Sequence, residues 1–527
     1  MRGLFCVYVI LSLLCCISYF RGSAFAQESS SGSPPEALAF RKVIKSKSIQ
    51  EYSAAAGTLR RFMRRHEPQL PLYHFTAPEG WINDPNGVIF HGGLYHLFYQ
   101  FDPIVEGKRS GRICWGHAVS RDLAHWQDWP VALWPDSPWD RNGAFSGNIV
   151  IDDHGVPTAL YTGNVREHAE TYGMQARSYD GMVTWTKKMV MDNRQRPNPD
   201  SPVHWDGQVW KDDQTWLQLV GGTTDGPDPK GAAFLWTSPD LDHWTLQKPI
   251  FTGPQHFWEY PYLVPFGNKY LFICGSFGEF GNPYWVGSYD KRTMTFTPDS
   301  PEPQFPDAGY LWTVNPNLSD HGGPKGTVRR IMFAWIPGKT REPWARARPS
   351  PTPNVPLWDG SMAIPRVISL EEARLVQEPI PEIRALRDRK VSFRSISVSP
   401  KTGHVLPDLK GDALEIVAIF EPGTAQRCGI KVRASKDGRA GIPVWFGPGG
   451  NEFGVLDKHR PTNLRVGQPV SLHIFVDRAI TEVFVNGNPI TIVAYLDPSA
   501  QGIGVFAEGG DCTLENLESW SMRWMWE

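Results

Sequence analysis

From Tyr73 to about residue 370 the chain runs in short apolar and aromatic stretches separated by Gly, Pro, Asn and Asp, and helical periodicity almost vanishes. That texture predicts strands joined by tight turns. A weak internal repeat lies within it. "SRDLAHW" (Ser120 to Trp126) returns as "SYDGMVTW" (Ser178 to Trp185), as "SPDLDHW" (Ser238 to Trp244) and, degraded, as "SYDKRTMTF" (Ser288 to Phe296). The spacing of roughly 50–60 residues is that of a four-stranded propeller blade. Each copy reads as a strand end, a turn built on Asp, and an aromatic entering the next strand. With one blade's worth of chain before and after, the repeat predicts about five blades over 67–370.

After "GSMAIPRVISL" (Gly360 to Leu370) the pattern changes. Residues 371–385, with "EPIPEIRALRDRKV" at their end, have a short helical look and read as a connector. From 386 to 527 apolar and polar positions alternate tightly, and "VFVNGNPITI" is an Asn-Gly hairpin between apolar strands. This stretch reads as a β-sandwich. The expected fold is all-β, a five-bladed propeller followed by a sandwich. Ahead of it, "QESSSGSPPE" has linker composition, and the segment to about residue 66 reads as one or two basic helices with a solvated face.

The first residues, "MRGLFCVYVILSLLCCISYFRGSAFAQ", place one basic residue before an apolar run that closes on Ala24-Phe25-Ala26. This predicts a signal peptide over 1–26 and a secreted protein, extracellular or periplasmic; the alternative is a short membrane anchor. No later segment is apolar enough to span a bilayer, so no membrane contact is expected after processing. Cleavage would leave Cys114, Cys274, Cys428 and Cys512, too dispersed for a disulfide framework or a metal site, with one bridge at most. Lys+Arg 53 against Asp+Glu 55 gives no electrostatic reason for a nucleic-acid partner. Aromatics reach 12%, with 22 tryptophans. Such a surplus fits an aromatic β core, a carbohydrate site, or both at once.

Three carboxylates share an unusual setting. Asp84 lies in "WIND", Asp206 in "HWDGQVW" and Glu259 in "FWEYPYLVPFGNKY", each beside or just after a tryptophan at the opening of an apolar run. Only a closed multi-blade architecture would bring residues so far apart together, at the mouth of a central channel. Converging carboxylates raise one another's pKa, and that suits glycoside cleavage. One stays ionised to attack, one is held protonated to donate, and a third holds sugar hydroxyls. In "WINDPNG", Pro85 fixes its own φ and Asn86-Gly87 supplies a turn, so Asp84 would be held rigidly at a strand entrance.

These stretches resemble glycoside hydrolase family 32, the invertases, inulinases, levanases and fructan exohydrolases. "WINDPNG" is similar to the family's WMNDPNG, "FSGNIV" to its FSGS, "WEYPYL" to its WECPD and "DRAITEVFVNG" to its late DRSSVEVFVN; "LYHLFYQFDP" and "WGHAVSRDLAHW" add to the match. The resemblance runs from Tyr73 to the C-terminus and implies a propeller plus a sandwich. It implies Asp84 as nucleophile, Glu259 as acid/base and Asp206 as the transition-state stabiliser of an Arg-Asp-Pro motif. It also implies a fructose pocket of Asn83, Gln100, Trp115 and Ser146, with Phe145 and Trp81 as apolar walls and Trp335 near the rim. No metal or organic cofactor is implied.

Three departures stand out. Trp205-Asp206-Gly207 replaces Arg-Asp-Pro, so the fixed positive charge is gone. His204 or another basic side chain would have to replace it, or Trp205 would serve as a stacking wall. Tyr260 and Tyr262 replace a Cys and an Asp beside the acid/base, and Asn148 replaces a Ser. The expectation is a β-fructofuranosidase acting on sucrose or fructan by double displacement, as monomer or homodimer. The alternatives are a fructosyltransferase using the same intermediate, a catalytically weak fructan-binding protein, and an arabinan or xylan hydrolase of sister fold.

Overall fold

The computed structural model describes residues 33–526 apart from 106–107, 167–168, 199–202, 204, 255–256, 277–280, 339–357, 402–403 and 439. The expected signal peptide and His204 therefore lie outside the described residues.

The described residues are predominantly β. Five antiparallel sheets follow one another from Gly80 to Pro379, each built mainly from four strands consecutive in sequence. Their first strands are Gly80–His91, Gly143–Ile151, Val209–Asp212, Trp258–Phe266 and Trp312–Asp320. Gly80–His91 lies against both Gly143–Ile151 and Trp312–Asp320, which brings the first and fifth sheets side by side. Trp358–Asp359, from late in the chain, pairs in parallel with Gly80–Trp81 and ties the same seam.

The repeat read from the sequence is the turn between the last two strands of the first four sheets. In the first, Asp122 accepts from the backbone N–H groups of Ala124 and His125, and Trp126 Nε1 donates to the Leu123 carbonyl. Asp240, His243 and Trp244 repeat this geometry in the third. Leu123, Met182 and Leu241, each three residues before its tryptophan, and Met294, two before Phe296, have φ between +50° and +70°. The fifth sheet makes this connection by a tight turn between Glu371 and Arg374, so no fifth copy exists to be found.

Within 371–385, read as a connector, Arg374–Pro379 is the outer strand of the fifth sheet, and only Pro381–Leu386 forms a short 3-10 turn. Two six-stranded antiparallel sheets follow, one from Arg387–Val398 to Asn488–Val493 and the other from His404–Lys410 to Lys458–Pro461. Ile416, Phe420, Ile430, Val444, Ile474 and Leu514 belong to the apolar core between them. Cys428 on one sheet and Cys512 on the other form a disulfide across that core. It closes a separation of 84 residues, worth about 4 to 5 kcal/mol by chain entropy. Cys114 and Cys274 are buried thiols. The Asn-Gly hairpin is present, with Asn486 at φ 49° and Gly487 at φ 72° between Val485 and Asn488.

Two helices, Pro35–Val43 and Ile49–His66, precede the first sheet. The second buries Tyr52, Ala56, Leu59, Arg60 and Met63, the i, i+4, i+7, i+8, i+11 stripe of an amphipathic helix. Arg60 departs from the expected solvated basic face. It is buried, paired with Asp128 at 2.6 Å and stacked 3.3 Å from the Trp526 ring. Sequence spacing marks the stripe but does not reveal that its one cation has a buried acid waiting on the first sheet.

The sequence motif "DRAITEVFVNG" is the joint between the five sheets and the sandwich. Asp477 accepts from the backbone N–H groups of Leu72, Tyr73 and His74 and from His74 Nδ1, at 2.7 to 2.9 Å. Glu482 meets His74 Nε2 at 3.0 Å and accepts from Arg366 at 2.6 Å. Arg478 donates to the carbonyls of Glu67 and Leu70. Burial alone would lower the His74 pKa, but its bonds to Asp477 and Glu482 outweigh this and raise it from 6.5 to about 9. Burial would raise Glu482, but Arg366 and His74 outweigh it and bring it from 4.5 to about 2.

The signs fix the pH response. The His74 contribution is complete below pH 6.5 and is lost as pH rises through 9; that of Glu482 is complete above pH 4.5 and is lost as pH falls through 2. The denaturation midpoint should therefore be flat between pH 4.5 and 6.5 and fall on the alkaline side. In urea titrations the alkaline loss should approach about 3 kcal/mol. His74→Gln should flatten that limb; an unchanged alkaline limb would remove His74 from the account.

Candidate active site

A strand in a regular ladder presents its side chains alternately, and a bulge re-aims one of them. Four of the five first strands break register: between Ile82 and Pro85, Ala144 and Gly147, Glu259 and Tyr262, and Asn315 and Leu318. Asn83 and Asp84 lie inside the first break, Phe145 and Ser146 inside the second, and Glu259 at the edge of the third. The candidate residues thus sit where neighbouring strands leave their ladders.

"WINDPNG" is not a turn between strands. It runs within the twelve-residue strand Gly80–His91, and the hairpin turn follows at Gly92-Gly93. Gly87, at φ +44°, makes a second register shift instead, and a Cβ there would come 2.7 Å from Ile149. The rigidity expected of Pro85 holds for a different reason: its carbonyl accepts from the Tyr260 hydroxyl at 2.6 Å and from Asn315 Nδ2 at 2.9 Å.

Asp84 is half-buried. Its carboxylate accepts from Asn83 Nδ2 at 3.1 Å, Gln100 Nε2 at 3.3 Å and the Ser146 hydroxyl, and Gln100 also bonds Ser146. Three of the expected pocket residues therefore clamp the expected nucleophile. Asn83 Oδ1 is buried and has no hydrogen-bond partner among the described residues.

Asp206 is 2% exposed and accepts from the Tyr260 backbone N–H at 3.0 Å. Burial, then the charge of Glu259, push its carboxyl well above the usual range; the Tyr260 N–H works the other way, and Asp84 adds to the rise. Asp206 thus feels both other acids, and Tyr260, the neighbour of Glu259, links it to the main chain beside Asp84, although the three come from different parts of the chain. Gly207 follows because space allows nothing larger: a Cβ there would stand 2.3 Å from the Leu219 carbonyl oxygen. Glu259 is half-buried and faces Gly275 across the ladder, where a Cβ would approach Glu259 Cγ to 2.8 Å.

The tryptophans divide differently from the expectation. Trp205 is fully buried among Leu160, Val209, Trp216 and Trp236, edge-on to Trp236 at 5.5 Å. It is a core residue of the third sheet and offers no face to a sugar. Trp115 is also fully buried, and its Nε1 donates to the Phe145 carbonyl at 2.8 Å, so it braces the main chain beside Ser146. Trp335 is 2% exposed, packed edge-on against Trp81 at 5.9 Å and Trp312 at 6.5 Å. Trp81, Phe145 and Trp312 are the half-buried aromatics of the group.

Sequence reasoning missed the polar hub beneath these residues. Asn148 Nδ2 donates to the carbonyls of Asp206 and Gly207, and its Oδ1 accepts from the Tyr262 hydroxyl at 3.1 Å. Asn315 joins the hub from the fifth sheet, and Gln208 bridges Asn317 and the Leu263 N–H. In the sequence Asn148 and Tyr262 read only as departures from the family's motifs. The "NPN" at Asn315 to Asn317, on the opening strand of the fifth sheet, was the available signal.

Comparison with known proteins identifies the family. The model of the glycosyl hydrolases family 32 N-terminal domain matches residues 74–379, and that of the family 32 C-terminal domain matches 382–521. A sucrose-6-phosphate hydrolase of Zymomonas mobilis is 28% identical over 494 residues, covering 86% of this chain and 92% of that protein. A levanase of Bacillus subtilis is 29% identical over 514 residues, covering 87% of this chain and 71% of that one. The crystal structure of fructan 1-exohydrolase IIa from Cichorium intybus superposes with a TM-score of 0.75 at 22% identity, covering 86% of this chain and 98% of that structure, and so shares its fold. With one family model spanning the five sheets and a second spanning the two that follow, the chain belongs to glycosyl hydrolase family 32.

Proposed function

We propose that this glycoside hydrolase cleaves terminal β-D-fructofuranosyl bonds of sucrose or of fructans such as inulin and levan, by double displacement. The observation that carries the reading is that Tyr260, next to Glu259 in the chain, donates its N–H to Asp206 and its hydroxyl to the Pro85 carbonyl beside Asp84, so the three acids meet around one residue. The five sheets act as five blades of a propeller whose channel mouth holds the site. Relatives named for sucrose-6-phosphate and levan hydrolysis support the substrate class.

In the first step Asp84 attacks the anomeric carbon of the fructosyl unit while Glu259 gives its proton to the glycosidic oxygen, releasing the remainder of the sugar. In the second, Glu259 takes a proton from water, whose oxygen attacks the same carbon and frees Asp84, so configuration is retained. Asn83, Gln100 and Ser146 supply the fixed approach such an attack needs. Asp206, its carboxyl raised, can donate to as well as accept from the sugar hydroxyls. Asn83 Oδ1 is placed to accept from one of them. Trp81, Phe145 and Trp312 supply the aromatic walls, in place of Trp205 and Trp115. The Cys428–Cys512 bridge suits an oxidising compartment, as secretion would provide.

Incubation with sucrose, inulin and levan tests the reading. Free fructose should be released from at least one, with the amount unchanged by added sugar acceptors. Oligosaccharides growing at high sucrose would instead make the enzyme a transferase, and no release from any of the three would reject the substrate class.

A further inference from the structure

Tyr260 follows Glu259 in the chain, and its polar groups reach toward the other two acids. Its backbone N–H donates to Asp206 at 3.0 Å. Its hydroxyl donates to the carbonyl of Pro85, the neighbour of Asp84, at 2.6 Å, with the Gly147 carbonyl at 3.2 Å. Asn315 Nδ2 donates to the same Pro85 carbonyl and to the Tyr260 oxygen, at 2.9 and 3.3 Å. The residue is 1% exposed, and its ring stands edge-on to Tyr262 at 5.1 Å. Its backbone is left-handed, at φ +54°, inside the register break that re-aims Glu259. For an aromatic residue that conformation costs roughly 1–3 kcal/mol and persists only where surrounding contacts over-determine it.

We propose that Tyr260 is a positioning residue that sets the separation of the proposed nucleophile from the proposed acid/base. One residue is bonded covalently to Glu259 and pinned through its hydroxyl to the main chain beside Asp84. The inference rests on the roles proposed for those two carboxylates. Retaining chemistry needs its two carboxyl groups about 5–5.5 Å apart, and small displacements of reacting groups cost rate steeply. The cysteine frequent at this place in the family is shorter by the whole ring and lacks a hydroxyl at that reach. This chain therefore uses a strut of its own. Burial, with the neighbouring Tyr262 adding to it, holds the phenol far above the ordinary tyrosine range, so it remains a donor throughout the working pH.

The test is Tyr260→Phe, which keeps the ring and removes only the hydroxyl, assayed on sucrose beside Asn315→Ala, the double variant and Asp84→Asn. Tyr260→Phe should lower kcat on the order of 10- to 100-fold, with KM within about twofold and the melting temperature nearly unchanged. The double variant should lose less than the product of the two single losses, because both groups hold one carbonyl. A kcat within about twofold of wild type would overturn the proposal. So would a rise in KM alone, or a loss of activity matched by loss of folded protein. If Asp84→Asn kept full activity, the carboxylate roles would fail first and carry the strut with them. If Asp84→Asn were inactive while Tyr260→Phe behaved as wild type, the strut alone would fail.

Discussion

Replacing Asp84 by asparagine should lower turnover of sucrose or fructan on the order of 10⁴-fold or more, with little change in stability. The side chain keeps its size, and its remaining oxygen can still accept from Ser146 and Gln100, so two of the three clamping bonds survive and only that from Asn83 is lost. What is lost is the ionised oxygen proposed to attack the anomeric carbon, and Asn83, the other residue inside the first register break, carries no carboxylate to replace it. Glu259→Gln should cost less, about 10²- to 10⁴-fold, since proton donation is a smaller share of the barrier. Its deficit should shrink for a fructoside whose leaving group needs no proton. Circular dichroism and kcat on the same preparations check both. Near-normal turnover by Asp84→Asn would remove Asp84 from the mechanism.

Asp477→Ala should cost about 3 to 5 kcal/mol without touching the site chemistry. Four donors converge on that carboxylate, three of them backbone N–H groups of Leu72, Tyr73 and His74. Truncation strands these groups at a buried junction, where each unpaired donor costs about 1 to 3 kcal/mol before relaxation. His74 would keep only Glu482, which Arg366 also engages. Because the joint links the five sheets to the sandwich, urea unfolding should shift to lower concentration and split into two transitions. A loss below about 1 kcal/mol with one sharp transition would show the joint to be dispensable.

What was legible in the sequence was local. The Asp turns announce themselves because Asp122 and Asp240 bond the backbone two and three residues on. The Asn486-Gly487 hairpin is likewise self-contained. The three candidate acids were marked by short motifs that resemble the family's. The tryptophans were not, because a sequence string does not say which side of a strand faces the core. Trp205 and Trp115, expected at the sugar, went into the interior. The hub was illegible for another reason: Asn148, Tyr260 and Asn315 meet partners 55 to 230 residues away. Arg60 belongs with them, since its acid lies 68 residues along the chain. The replacement of Arg-Asp-Pro by Trp-Asp-Gly also reads differently in three dimensions. The indole fills the core and the glycine makes room for the Leu219 carbonyl, while Asp206 keeps its place under the Tyr260 N–H.

The central claim is that a fructosyl unit passes through a covalent bond to Asp84. Rapid quenching of the enzyme during turnover of sucrose, followed by proteolysis and mass mapping, tests it most directly. Glu259→Ala should be run in parallel on a fructoside whose leaving group needs no proton, where the intermediate still forms and loss of the base slows its release. A hexosyl adduct on the peptide bearing Asp84, absent from Asp84→Asn, is the expected result. Turnover with no adduct on that peptide, or with the adduct on another residue, would contradict it.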